Sequence, residues 1–253
     1  MKPPQVRAVP AVTRAVAILR LLGRSRTPLS LKVIAETLGL VPSTALHILR
    51  ALVAEQLLQV DPQTRHYRLG VGMLPLARAV LENGDFPALA RPRLEDLSRL
   101  YGVTALGVEV PDLDHMVVVA LARAQTPVRL HVDVGSRFPA LISATGRCVA
   151  AFSAQPWTEI ERRFASLRWH NPPDYASWCK EVDAARRRGF SIDRGNYIAG
   201  VTIVAVPVLN SRGTSSHTIA AVGLGSQLDR ASSLSLARDM RAAAQEIAGL
   251  LSP

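Results

Sequence analysis

Thr44, His47 and Arg50 are spaced so that one turn of a helix would stack them on a single face. Hydroxyl, imidazole and guanidinium groups arranged this way can donate to the phosphates and base edges of duplex DNA. A solvated helix face would show the same residues. Arg14, Arg65 and Arg68 lie nearby in sequence and have the charge to hold phosphates. The first 70 residues carry ten basic side chains against three acidic ones, so +7 of the net +10 sits there. Such a segment binds DNA by releasing counterions before any base is read. A second candidate lies at Ser143-Ala144-Thr145-Gly146. Free backbone N–H groups at a helix entry, together with the helix dipole, favour an anion such as a carboxylate. An ordinary capped helix would look the same.

The DNA candidates need helices and a hairpin to position them. Ala15, Ile18, Leu19 and Leu22 form an i, i+3, i+4, i+7 stripe, predicting a helix over Val12 to Leu22. Ser30 suits the N-cap of a second helix, Leu31 to Leu38, which Gly39 would end. Ser43 suits the cap of a third helix reaching Glu55, and stands with Thr44 on its DNA side. Its stripe is Ala45, Ile48, Leu49, Leu52 and Val53. Two short strands, around Leu57–Val60 and Tyr67–Leu69, flank the turn-rich Asp61–His66. Two helices joined by a glycine turn, then a hairpin tipped by Arg65, make a winged helix-turn-helix.

Beyond residue 72 the pattern changes. A linker helix is expected over 73–90, with Pro75 near its start and a break at Gly84-Asp85-Phe86-Pro87. A helix follows over Arg91–Tyr101 with Leu94, Leu97 and Leu100 inward. Valine-rich strands are expected at Thr104–Val110, Met116–Arg123, Val128–Val134, Gly200–Leu209 and Thr218–Gly225. Helices are expected at Thr145–Ser153, Trp157–Ser166, Tyr175–Arg188 and Leu228–Leu251. The class is α+β, and a sheet covered by helices offers a cup for a small ligand.

Taken in order, these residues resemble the IclR family of bacterial transcriptional regulators. The resemblance rests on Val12-Thr13-Arg14-Ala15-Val16-Ala17-Ile18-Leu19, Leu29-Ser30-Leu31, Gly39-Leu40, Ser43-Thr44 and Tyr67-Arg68-Leu69-Gly70. It continues through Pro139-Ala140, Ala144-Thr145-Gly146-Arg147, Arg188-Gly189-Phe190, Asp193 and Ala205-Val206-Pro207-Val208. The pattern differs at Val41-Pro42, where the family carries Pro-Lys, and at His47, where arginine is frequent. The resemblance implies a GAF-like effector-binding domain over 91–253, after a winged helix-turn-helix over 1–72. It implies that an effector lies against Ala144, Thr145 and Gly146, and that Asp193, Ile203, Gly223 and Gly225 also line its site. Relatives that bind small keto-acids show hydroxyl or thiol groups at several of these positions. Isoleucine and two glycines here predict a larger, more apolar effector, such as an aromatic acid.

The expected protein is a ligand-responsive regulator of a catabolic operon, not an enzyme. Its partners would be palindromic operator DNA and a second copy, as a homodimer or homotetramer, in the cytoplasm. No cofactor, metal or membrane is expected. The six histidines lack metal-ligand spacing and Cys148 and Cys179 form no Cys-x-x-Cys pair. Cys148, near a helix start, reads either as an activated thiol or as a buried inert one. Two rivals stay open: an enzyme acting on a small acid with a basic tether, and a ligand-independent DNA-binding scaffold.

Overall fold

Proline starts two of the N-terminal helices, because a first-turn N–H has no intrahelical partner to lose. In a computed structural model, which describes residues 9–82, 85–124 and 132–251, Pro10 opens α1 (Pro10–Arg24). Strand β1 (Leu29–Ser30) leads into α2 (Leu31–Leu38), and α3 spans Pro42–Ala54. Strands β2 (Leu58–Val60) and β3 (His66–Leu69) form the wing. The chain divides into two units, Met1–Val80 and Leu81–Pro253, within helix α4 (Met73–Glu82).

In the first unit the punctuation works as the residues dictate. Ser30 Oγ accepts from the Val33 amide at 3.4 Å, and Gly39 ends α2 with φ +60°. The expectation that Ser43 caps α3 is corrected. Val41 is the N-cap, Pro42 takes the first helical position, and no side chain caps the end. Proline's locked φ starts the helix one residue earlier than a serine cap would. Helices α2 and α3 are bent by 115° relative to each other, the geometry of a helix-turn-helix. Ile18, Leu22, Ile34, Leu49, Leu52, Leu58 and Tyr67 form the core beneath them. The three strands pair antiparallel in the order β1-β3-β2. A Cβ on Gly70 would lie 2.2 Å from the Gln56 carbonyl oxygen, so only glycine lets the chain leave β3 there.

The second unit begins with α5 (Asp85–Tyr101), followed by β4 (Thr104–Glu109) and β5 (His115–Ala122). Next come β6 (Arg137–Pro139), α6 (Ser143–Phe152), α7 (Trp157–Phe164) and α8 (Tyr175–Arg188). Strands β7 (Ser191–Arg194), β8 (Val201–Leu209) and β9 (Ser215–Leu224) precede the closing helix α9 (Arg230–Leu251). Six antiparallel strands align in the order β6-β5-β4-β9-β8-β7. This winged helix-turn-helix followed by a helix-covered sheet is the α+β architecture expected.

Alternation along β8 and β9 divides the core in two. Val204, Val206, Val208, Ile219 and Ala221 face α5 and α9. Val201, Ile203, Ala205, Ala220 and Val222 face α6. Beyond α6 a third cluster gathers around the fully buried Trp178 of α8.

Several expectations are corrected. The helix placed at Arg91 starts at Asp85, and Phe86 and Ala90 are buried in the core. Asp85, Phe86 and Pro87 of the expected break instead form the start of a helix, where proline is tolerated; Gly84 lies outside the described residues. Leu100 is 71% exposed, while Tyr101 packs against the core beside Leu94 and Leu97. A 3.6-residue period brings the seventh residue after Leu94 inward, not the sixth. Most of the strand placed at Val128–Val134 lies outside the described residues. Its end, Val132–Val134, is not strand, and the sheet edge is β6 instead. The pattern also missed β7, whose Ser-Ile-Asp-Arg sequence carries little strand signal.

Candidate DNA interface and effector cavity

The first candidate surface is the exposed side of α3 and the wing. Ser43, His47 and Arg50 are exposed and Thr44 is half-buried, all on α3. Ala45, Leu49 and Leu52 on its other side are buried, so packing turns this face outward. Arg14 is exposed on α1. In the wing, Asp61 Oδ1 accepts from the Gln63 and Thr64 amides, each at 2.8 Å. Those amides hold the Asp61 carboxyl below the usual carboxylate range, the Thr64 bond contributing most. The Arg65 amide donates to the Asp61 carbonyl at 2.9 Å, and Arg65 takes φ +57° at the tip. A left-handed arginine is strained and is held by this turn. Arg68 donates to Gln59 Oε1 on the paired strand, at 2.9 Å from Nη2. Its guanidinium is thus oriented while its charge stays exposed. The residues proposed from sequence for DNA contact thus all lie on the surface of one unit.

The second site is a cavity of about 130 Å³ between the sheet and α6. Leu106, Val108, Met116, Val118, Phe138, Ala220 and Val222 supply its apolar wall. Ser143 and Thr145 at the start of α6, with Tyr197 and Ile198 from the loop after β7, complete it. Helix α6 opens with no side-chain cap. The first helical turn leaves amides of Ser143, Ala144 and Thr145 without helical partners, since Gly146 is the first to bond back, to Ile142 at 2.8 Å. Ser143 takes φ +59°, a strained value for serine, at a turn that lines the cavity. A Cβ on Gly146 would fall 1.9 Å from the Leu141 carbonyl carbon. Glycine is therefore what lets α6 start this tightly, though it does not itself reach the cavity. Burial pushes the Tyr197 phenol up from its ordinary value, so it stays a neutral donor.

The structure sorts the residues expected to line the site. Thr145 and Ile203 do so. Ala144 is fully buried beside the wall, in the cluster between α6 and the sheet. Asp193 does not face the cavity. Its Oδ2 accepts from Arg147 Nη1 at 3.1 Å, with both side chains 1% exposed. Its Oδ1 accepts from the Asn196 and Tyr197 amides at 3.0 and 3.3 Å. Asp193 therefore fixes the loop that carries Tyr197 to the site. Arg147 further donates to Asn196 Oδ1 at 3.2 Å and pairs with Glu181. Gly223 lies on the opposite face, where a Cβ would meet Leu228 at 3.0 Å; its neighbour Val222 lines the wall. A shift of one residue along a strand exchanges the faces. Gly225 lies past the end of β9, exposed beside Gly200. The glycines therefore add no room to the cavity.

Sequence reasoning missed Tyr197 and Ile198. The available signal was the pair Gly195 and Gly200, with φ +82° and +74°, which bracket a tight loop. Cys148 is the inert kind of thiol: buried, donating to the Ala205 carbonyl at 3.3 Å, and pushed up to about 12 by desolvation. Among the described residues no group of three or more His, Cys, Asp or Glu is placed to hold a metal. Among them, too, no single helix is long and apolar enough to cross a membrane.

Comparison with known proteins matches both units. Residues 11–62 match the IclR helix-turn-helix domain, and residues 78–249 match the bacterial transcriptional regulator IclR C-terminal model. The glycerol operon regulatory protein of Streptomyces griseus is 32% identical over 228 residues, covering 88% of this chain and 87% of that protein. An IclR transcriptional regulator structure from Alicyclobacillus acidocaldarius is 27% identical with TM-score 0.84, covering 96% of this chain and 98% of that one. An IclR homologue from Microbacterium hydrocarbonoxydans, solved with 4-hydroxybenzoate, shares the fold at 19% identity and TM-score 0.78, covering 95% and 99%. A basic winged helix, a helix-covered sheet with a small cavity, and matches along nearly the whole chain lead to one conclusion: the chain belongs to the IclR family of bacterial transcriptional regulators.

Proposed function

We propose that this regulator senses a small aromatic acid in its C-terminal cavity and thereby controls a catabolic operon. The observation that carries this reading is the cavity itself. Its size is close to that of an apolar cavity of about 150 Å³ that holds benzene. Its wall is apolar, and its polar groups gather at the start of α6. A single ring fits among Leu106, Val108, Met116 and Val222. The carboxylate meets the free amides of α6 with the Ser143 and Thr145 hydroxyls. The 4-hydroxybenzoate complex of the Microbacterium homologue supports a ligand of this class. The regulatory role of the Streptomyces griseus relative in a glycerol operon supports the catabolic setting.

On the DNA side, Thr44, His47 and Arg50 read bases while Ser43, Arg14, Arg65 and Arg68 hold phosphates. One winged helix reads few base pairs, so two or four copies act together on a palindromic operator in the cytoplasm. The proposed domains are a DNA-binding domain over 1–72, a linker over 73–90 and an effector domain over 91–253, the last drawing Phe86 and Ala90 of α5 into its core. The effector acts only through its different affinities for DNA-competent and DNA-incompetent arrangements. The protein works by binding and turns nothing over.

The test is a gel-shift titration of the DNA upstream of its own gene, with a panel of aromatic and keto acids. An aromatic acid that shifts specific binding supports the proposal. Tight glyoxylate binding with no response to aromatic acids overturns the effector class.

A further inference from the structure

We infer that a groove along the free edge of β7 is a docking site for an acidic, extended segment of a protein partner. The groove has a volume of about 760 Å³ and lies apart from the effector cavity. Its floor is apolar, formed by Phe190, Ile192 and Leu234. Leu234 is 44% exposed. Arg188, Arg194 and Arg230 border it. The one acidic residue in its lining, Glu181, pairs with the buried Arg147, so it does not offset them. Arg194 donates to the Leu228 and Asp229 carbonyls, which orients its guanidinium but leaves its charge unneutralised by any bond. Asp229 lies close enough to feel that charge, yet its carboxylate is occupied by the Ser232 amide at 2.7 Å.

The backbone adds a second feature. Among the described residues β7 is an edge strand, paired only with β8. The Gly195 amide donates to the Val201 carbonyl at 3.0 Å. Alternation in an antiparallel ladder then makes Asp193–Ile203 and Ser191–Ala205 the bonded pairs. Ile192 and Arg194 therefore direct their N–H and C=O groups off the edge, toward the groove. An extended chain can add there as a seventh strand, as in strand-addition recognition. Phe190, Ile192 and Arg194 share one face of the edge, so on that side of an added strand an apolar residue would meet the floor and the next residue but one, if acidic, would meet Arg194. A second copy of this edge would bring arginines against arginines, which disfavours self-pairing. Duplex DNA would use the arginines but neither the apolar floor nor the strand edge.

The probe is a fluorescein-labelled octapeptide of two Leu-Leu-Glu-Glu repeats, which sets leucine and glutamate in turn along each face, with a lysine-for-glutamate counterpart, titrated into the full-length protein. The acidic peptide should bind saturably and the lysine peptide should not. The double variant R188E/R230E alters only exposed side chains, and an unchanged urea-unfolding midpoint shows that the second unit folds. It should lose the acidic peptide by about tenfold or more and gain the lysine peptide. Hydrogen exchange at the Ile192 and Arg194 amides should slow when the acidic peptide saturates the protein. Unchanged affinity in the variant overturns the proposal. So does unprotected exchange at those amides. Displacement of the acidic peptide from this edge by operator-free duplex DNA also overturns it, by showing a general polyanion surface.

Discussion

On one face of the six-stranded sheet, Val204, Val206 and Ile219 pack against Leu236, Met240 and Ile247 of α9. On the other, Val108, Ala220 and Val222 border a cavity. The strands supply similar residues to both, so the difference comes from the covering helices. Helices α5 and α9 bring large side chains such as Phe86, Leu94 and Met240 to their contact. Helix α6 brings Ala144 and Cys148. Small residues on α6 leave the sheet partly uncovered near the helix start, and the loop held by Asp193 closes the space. One face secures the domain and the other encloses a cavity, with a buried ion pair supporting the cavity's edge.

The largest effect is expected at that ion pair. Arg147→Ala removes the ion-pair partner of Asp193, a carboxylate only 1% exposed. Loss of about 3–5 kcal/mol is expected in urea unfolding. A loss below about 1 kcal/mol would mean the pair does not support the cavity's loop.

Truncation on the two faces should differ next. Leu236→Ala, on the filled face, should cost about 2–5 kcal/mol by opening a new void. Val108→Ala, at the existing cavity, removes less and should cost about 1 kcal/mol. Equal costs, measured under one set of denaturant conditions, would erase the distinction between the faces.

The pH dependence of stability carries a smaller effect from the Cys148 thiol. Burial raises it from about 9 to about 12, so the folded state favours the protonated form. Its contribution is fully present below pH 9. It is lost as pH rises toward 12, because the unfolded chain releases the proton first. A thiol reagent at pH 8 should label Cys179, which is half-buried, well before Cys148. Rapid labelling of Cys148 in the folded protein would contradict its buried, neutral state.

The smallest effect belongs to the winged helix. Arg65→Ala should weaken binding to all sequences alike and lower the salt slope by about one unit. A loss confined to one operator would show a base-reading role instead.

The two units also differed in how openly the sequence announced them. In the first, local signals decide the structure: a serine cap at Ser30, a left-handed Gly39 and stripes on α1 and α3. Ser43 as a cap was a slip where Pro42 offered an equally local start, and the two-residue β1 was missed because its pairing with β3 is not local. In the second unit β4, β5, β8, β9 and most helices were legible from valine runs and 3.6-residue periods. The cavity was not, because it depends on which face each strand residue takes. A one-residue error placed Gly223 where Val222 stands. Asp193 was singled out, but its partner Arg147 lies 46 residues away in sequence. That pairing belongs to the tertiary fold and leaves no periodic trace. β7 was hidden for a related reason, since its two charged residues serve an ion pair and an edge.

Filling the cavity tests the account most directly. Ala220 is buried, lines the wall and lies within β9, so Ala220→Leu would put its side chain into the space. Calorimetric titration with the acid that shifts operator binding, on wild type and variant, gives the answer alongside an operator titration. The account predicts that the variant keeps its operator affinity and loses both acid binding and response. A variant that still binds the acid and still responds would place the effector elsewhere and contradict the account.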